Sequence, residues 1–213
     1  MKPPNPTAIL APMPADLTVA VLAGGRGERM GGADKGLVRL AGRPLLSWVL
    51  DTAPADAGGI LIVANRHSSE YASFGHPVVS DPWPDFRGPL AGMLAALEHA
   101  RSPWVMTVPC DAPRLPRHLA AGLIAAIGAS AAPAAYATAH GHAHPPCSLL
   151  SRDLVPQLRQ ALADGERAPY RWFRQIGAAA ADFSNDAQAP LWSLNTPEEL
   201  AAAETALGGS GHG

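Results

Sequence analysis

A short apolar run, Thr18–Leu22, breaks directly into a loop that holds six glycines in the thirteen positions from Gly24 to Gly36. A run this short, bounded by glycine, reads as a strand buried on both faces. Glycine lets the backbone approach a ligand closely and turn successive N–H groups inward, the arrangement that cradles phosphate. Arg26, Arg29 and Lys35 add positive charge within the same loop. A buried strand feeding such a loop is the opening of an α/β sheet whose ligands sit at the carboxyl ends of its strands.

The rest of the chain repeats the alternation. Ile60–Ala64, His76–Val79 and Trp104–Val108 read as further buried strands, and Ala134–Ala139 and Pro146–Leu150 as extended segments. Helices are expected from Pro44, as first helical residue, to Leu50, over Leu90–Ala100, over Leu119–Ile127, and over Asp153–Ala163 with Asp153 near its cap. Trp192–Leu194 reads as a last strand, and Thr196-Pro197-Glu198-Glu199 opens a final helix with a cap, an early proline and an acidic first turn. The segment near Trp172 carries no clear pattern. These alternations predict a three-layer α/β fold, a mainly parallel twisted sheet with helices on both faces. One domain is expected over 17–207. A flexible proline-rich leader over 1–16 and a flexible tail over 208–213 flank it.

Composition narrows the function. A formal net charge of −2 over 213 residues provides no global field for nucleic acid or a membrane surface, so any polyanion must be gripped locally. Two cysteines, Cys110 and Cys147, make no disulfide framework, and the prolines at 3, 4, 6, 12 and 14 interrupt any signal-like apolar run. A soluble, cytoplasmic protein is expected. The P-loop pattern fails because Gly36 follows Lys35 where Ser or Thr would hold magnesium, and the dinucleotide fingerprint fails because Met30 stands where its third glycine belongs.

The loop Leu22-Ala23-Gly24-Gly25, then Arg29-Met30-Gly31, then Asp34-Lys35-Gly36 resembles the signature of nucleotidyltransferases that couple a nucleoside triphosphate to a phosphorylated acceptor. The resemblance continues through Ala64-Asn65-Arg66-His67, Ser80-Asp81, Gly88-Pro89-Leu90-Ala91-Gly92, Pro109-Cys110-Asp111, His144-Pro145, Gly165-Glu166-Arg167 and Asn195-Thr196-Pro197-Glu198-Glu199-Leu200. Within that superfamily the chain resembles the molybdenum cofactor guanylyltransferases, the MobA family, over roughly residues 17–207.

The resemblance implies transfer of GMP from GTP to the phosphate of molybdenum-molybdopterin, with Mg2+ as cofactor and pyrophosphate released. It implies Lys35 and Asp111 as catalytic residues, with Asp111 the magnesium ligand. Leu22, Ala23, Gly24, Gly25, Arg29, Lys35, Asn65, Asp81 and Asp111 are implied to contact the nucleotide, the first three through backbone groups. Gly88, Gly92 and Asn195 are implied on the acceptor side, and Gly165, Glu166 and Arg167 in the acceptor half. Ser193 stands where the family usually has a second asparagine, which removes an amide from that side. Proteins that supply the molybdenum cofactor and insert it into apo-enzymes are the implied partners.

Each residue also has a plainer reading. Asp111 and Asp81 can cap turns before Pro113 and Pro82, Asn65 can close a local Asx-turn, and Pro89 can simply start a helix. His140, His142 and His144 read as exposed hairpin residues rather than a metal site, since no carboxylate or thiolate is spaced to complete one. Cys110 reads as a buried residue closing a strand rather than a nucleophile, because no base adjoins it. Two other functions fit the sequence: a cytidylyl- or sugar-phosphate transferase of the same superfamily, and a non-catalytic carrier of the cofactor.

Overall fold

The computed structural model describes residues 11–24, 34–81, 88–185 and 193–208. Seven strands form one sheet in the order β5-β4-β1-β6-β8-β7-β9. The strands are β1 (Leu17–Leu22), β4 (Gly59–Val63), β5 (Val78–Val79), β6 (Trp104–Pro109), β7 (Ala134–Ala139), β8 (His142–Ser151) and β9 (Ala179–Asp182). β8 runs antiparallel to both β6 and β7, and the remaining neighbours are parallel. A separate two-stranded ribbon joins β2 (Arg39–Leu40) to β3 (Arg43–Pro44).

Alternation along the strands creates the layers. Leu17, Val19 and Val21 of β1, Ile62 of β4, and Trp104, Met106 and Val108 of β6 face one side. There they meet α1 (Leu45–Leu50), α2 (Ser68–Ala72) and α4 (Leu119–Ser130). Ala20, Leu61, Val63 and Val105 face the other side, against α3 (Pro89–His99), α5 (Val155–Ala163) and α6 (Pro169–Gln175). Both faces of the sheet are thus covered, as a largely parallel sheet requires. α7 (Pro197–Gly208) lies outside these layers, on a small cluster around Leu40, Leu45 and Leu194.

The three-layer α/β architecture matches the expectation, with local corrections. Pro44 is not the first helical residue. It lies in β3 and caps α1, because Ala41 and Gly42 both take positive φ, 48° and 78°, and turn the chain into a hairpin. Ser151, rather than Asp153, accepts the backbone bond that opens the turn before α5. Trp192 lies outside the described residues, and Ser193 and Leu194 are not strand. Residues 11–16 of the expected leader lead into β1 through a 3-10 turn at Pro14–Asp16, with Pro12 buried. Residues 1–10 and the tail 209–213 lie outside the described residues. α2, α6 and β9 emerge where the sequence pattern gave no element.

β7 and β8 meet in a two-residue turn in which His140 and Gly141 both have positive φ, 49° and 78°. His140 is therefore an exposed turn residue and His142 is exposed on the hairpin, whereas His144, expected to be exposed, is half-buried. Only His142 and His144 share a strand face. Burial, and then His142 nearby, hold the His144 imidazole below its ordinary pKa. Further along β8 the register slips between Tyr136↔Ser148 and Ala137↔His144. Pro145 and Pro146, lacking N–H groups, occupy the slip.

Candidate functional site

Parallel register brings four strand ends to one edge. Leu22 pairs with Val63 on one side and Pro109 on the other, and Val63 pairs with Val79. The residues that follow these strands, Ala23-Gly24, Ala64-Asn65, Ser80-Asp81 and Cys110-Asp111, therefore emerge side by side. The chain leaves β1 toward β4 and β5, then crosses back to β6 on the opposite flank. The site sits at this switch in strand order, where open α/β sheets leave a crevice.

Lys35 occupies the middle of that edge. Its ammonium donates to Asp111 Oδ2 at 2.8 Å and to Asn195 Oδ1 at 2.5 Å. The Lys35 and Asp111 side chains are only 18% and 10% exposed, so the pair is shielded from the screening that weakens surface ion pairs. Asp111 is held from behind, its carbonyl accepting the Leu194 N–H at 2.8 Å. Asn195 is held twice: its amide donates to the Ser193 carbonyl at 2.8 Å, and its backbone N–H donates to Glu199 Oε2 at 2.6 Å. Ser193 thus orients the asparagine through its backbone, which leaves Oδ1 facing Lys35. Glu199 also accepts the Thr196 N–H, while Thr196 Oγ1 accepts the Glu199 N–H, a reciprocal cap on α7.

A second pair lies at the β4 and β5 ends. Asn65 Nδ2 donates to Asp81 Oδ2 at 2.5 Å, and the Asp81 N–H donates to Asn65 Oδ1 at 3.0 Å. Each residue spans two strands, so neither is only a local turn former. A side chain at Gly24 would stand 3.7 Å from Asn65 Nδ2, which puts the start of the glycine loop beside this pair. Leu22 and Ala23 are partly spoken for: the Leu22 carbonyl accepts the Cys110 N–H, and the Ala23 N–H donates to Val63. Gly25 and Arg29 lie outside the described residues.

Of the residues implied to face an acceptor, Gly88 takes φ 75° before α3, beside the Arg167 carbonyl. Gly92 faces inward, where a side chain would come within 3.3 Å of Leu22 Cδ2, so its smallness lets α3 close on β1. Glu166 accepts the Arg167 and Ala168 N–H groups and pairs with Arg171 in the first turn of α6.

Cys110 is buried among apolar neighbours, and burial, with the Asp111 charge, pushes its thiol well above the ordinary range. It is a core residue. Among the described residues, no three His, Cys, Asp or Glu side chains gather to hold a metal. Asp111 offers a single carboxylate. Sequence reading missed a contact behind Lys35, the Tyr71 hydroxyl on the Asp34 carboxylate. A lone tyrosine in a five-residue helix carries no periodic signal.

The family model of the MobA-like NTP transferase domain matches residues 19–181. The molybdenum cofactor guanylyltransferase of Serratia proteamaculans is 46% identical over 187 residues, covering 88% of this chain and 93% of that protein. That of Vibrio cholerae is 40% identical over 190 residues, covering 88% and 91%. This chain belongs to the molybdenum cofactor guanylyltransferase family. Solved structures agree on the fold. Molybdopterin-guanine dinucleotide biosynthesis protein A of Archaeoglobus fulgidus superposes with a TM-score of 0.74 at 22% identity, covering 90% of this chain and 99% of that one. A 4-diphosphocytidyl-2C-methyl-D-erythritol synthase of Anaerococcus prevotii gives 0.71 at 12% identity, covering 90% and 96%. In this guanylyltransferase family member, the Lys35–Asp111–Asn195 cluster and the Asn65–Asp81 pair both fall in motifs that carried the resemblance.

Proposed function

We propose that the chain transfers GMP from GTP to the terminal phosphate of molybdenum-molybdopterin, forming the guanine dinucleotide cofactor and pyrophosphate. The observation that carries this reading is the Lys35 ammonium, held between Asp111 and Asn195 at the carboxyl edge of the sheet. An acceptor phosphate oxygen forms a bond to the α-phosphorus of GTP while the bond from that phosphorus to the bridging oxygen of the β-phosphate breaks. The nucleophile is already ionised, so the protein needs no strong base. Its task is to bring two anions together and hold them in line. Lys35 is a compact charge on a flexible stem, suited to oxygens whose charge grows during transfer. Asn65 and Asp81 offer donors and acceptors for the base or ribose, and Asn195 and the start of α3 lie toward the acceptor.

Asp111 suits Mg2+, which takes one or two carboxylates and completes its shell with water and phosphate oxygens. With no larger group of ligands among the described residues, an ion there would share its remaining positions with the substrate. When bound, it supplies charge neutralisation on the triphosphate. Residues 17–207 act as one domain in this reading. Cytoplasmic activity suits its free, buried cysteines and the lack, among the described residues, of any helix long and apolar enough to cross a membrane.

Calorimetric titration with GTP, CTP, UTP and ATP, each with magnesium, tests the base. Selective binding of GTP is expected. Pyrophosphate release with molybdenum-molybdopterin then tests the reaction, and Lys35→Ala is expected to lower kcat by about 10²–10³-fold. Preference for CTP would replace guanylyl by cytidylyl transfer. Binding without any turnover would leave a carrier.

A further inference from the structure

Asp34 precedes the short turn Lys35–Leu37, in the position where an aspartate ordinarily accepts the free N–H groups of the turn it starts. It does not do so. Its carbonyl accepts the Leu37 and Val38 N–H groups, but its side chain makes no capping bond. The carboxylate instead turns inward and accepts the hydroxyl of Tyr71, a residue with 0% exposure. A buried carboxylate and a buried hydroxyl are each costly without a partner, so the contact fixes both. Gly36 makes room for it: a side chain there would stand 2.5 Å from the Tyr71 oxygen. Burial raises the Tyr71 pKa far above its ordinary value, so the hydroxyl remains a donor throughout the working range. In Asp34-Lys35-Gly36, then, the first residue anchors the turn, the third clears space for the anchor, and the middle one reaches the site.

We propose that Tyr71 is a positioning residue for Lys35: its hydroxyl, through Asp34, fixes the turn from which the Lys35 ammonium reaches Asp111 and Asn195. Tyr71 stands on α2, which follows Asn65 at the end of β4. The contact therefore also ties the segment carrying Asn65 to the segment carrying Lys35, so that the groups proposed for the base and for the phosphates share one rigid support. This inference rests on the reading of Lys35 as a phosphate-facing group.

The test is a double-mutant cycle in the full chain between Tyr71→Phe and Lys35→Ala, read by GTP affinity in EDTA and by kcat and KM with magnesium and molybdenum-molybdopterin. Working without metal isolates the lysine's own grip on phosphate. Tyr71→Phe is expected to weaken GTP binding in EDTA and to lower kcat, each by about tenfold. On the Lys35→Ala background it is expected to change neither. An equal loss on both backgrounds would show a merely structural tyrosine and overturn the proposal, as would wild-type values in Tyr71→Phe. A wild-type protein that binds no nucleotide would instead overturn the underlying reading of Lys35. Should Tyr71→Phe not fold, Gly36→Ala, which displaces the hydroxyl from the other side, enters the same cycle.

Discussion

Asn65 and Asp81 exchange two hydrogen bonds across neighbouring strand ends, and removing the amide deprives Asp81 of both. Asn65→Ala is expected to cost about 1–3 kcal/mol of GTP binding, since both bonds that hold the amide and the Asp81 carboxylate in register at the edge of the site are lost; an unchanged calorimetric affinity would remove Asn65 from the nucleotide site. The sequence could name Asn65, Asp81 and Asp111 because each closes an apolar run, Lys35 because it stands in the glycine loop, and Asn195 through the family motif it shares. It could not say which of them touch. Lys35 and Asn195 are separated by 160 positions, and only the sheet's register and the path of α7 bring them together. Tyr71 was illegible for the opposite reason: its neighbours in sequence say nothing, and its meaning lies wholly in the Asp34 carboxylate across the core.

Glycine at 122 sits within α4 under the ring of Phe183, which a Cβ would approach to 2.6 Å. Replacement by alanine gains up to about 1 kcal/mol of helix propensity. Overpacking a buried ring costs about 1–3 kcal/mol. The net expectation for Gly122→Ala is a loss of about 1 kcal/mol, seen as a lower urea midpoint at unchanged slope. The β7–β8 hairpin carries a pH signal of fixed sign. Because His144 binds a proton less readily folded than unfolded, it contributes nothing to pH dependence well above 6.5 and destabilises progressively as the pH falls below that value. His144→Gln is therefore expected to flatten the loss of stability between pH 7 and pH 5 in urea melts. Long apolar strands and the capped α7 were readable because their signals are local. β2, β3 and β9 were not: the first two are two residues each, and Ala179–Asp182 is alanine-rich and earns strand geometry only by pairing with β7.

Two large apolar clusters hold the seven-stranded sheet, whereas α7 rests on a third cluster with only Leu40, Leu45 and Leu194 buried. Less buried apolar surface means a lower free energy of local opening. Native-state hydrogen exchange is expected to show α7 and the β2–β3 ribbon exchanging together, well before β1, β4 and β6. Equal protection across all of them would contradict it. Asn195 sits two residues before α7, so such an opening would also release Lys35 from its Asn195 acceptor. The same wiring has a bearing on the protein's birth. At about 5–20 residues per second, the 160 positions between Lys35 and Asn195 take roughly ten to thirty seconds to translate. A ribosome that stalls after β9 leaves a chain with all seven described strands of the sheet, yet with a lysine that lacks its Asn195 acceptor.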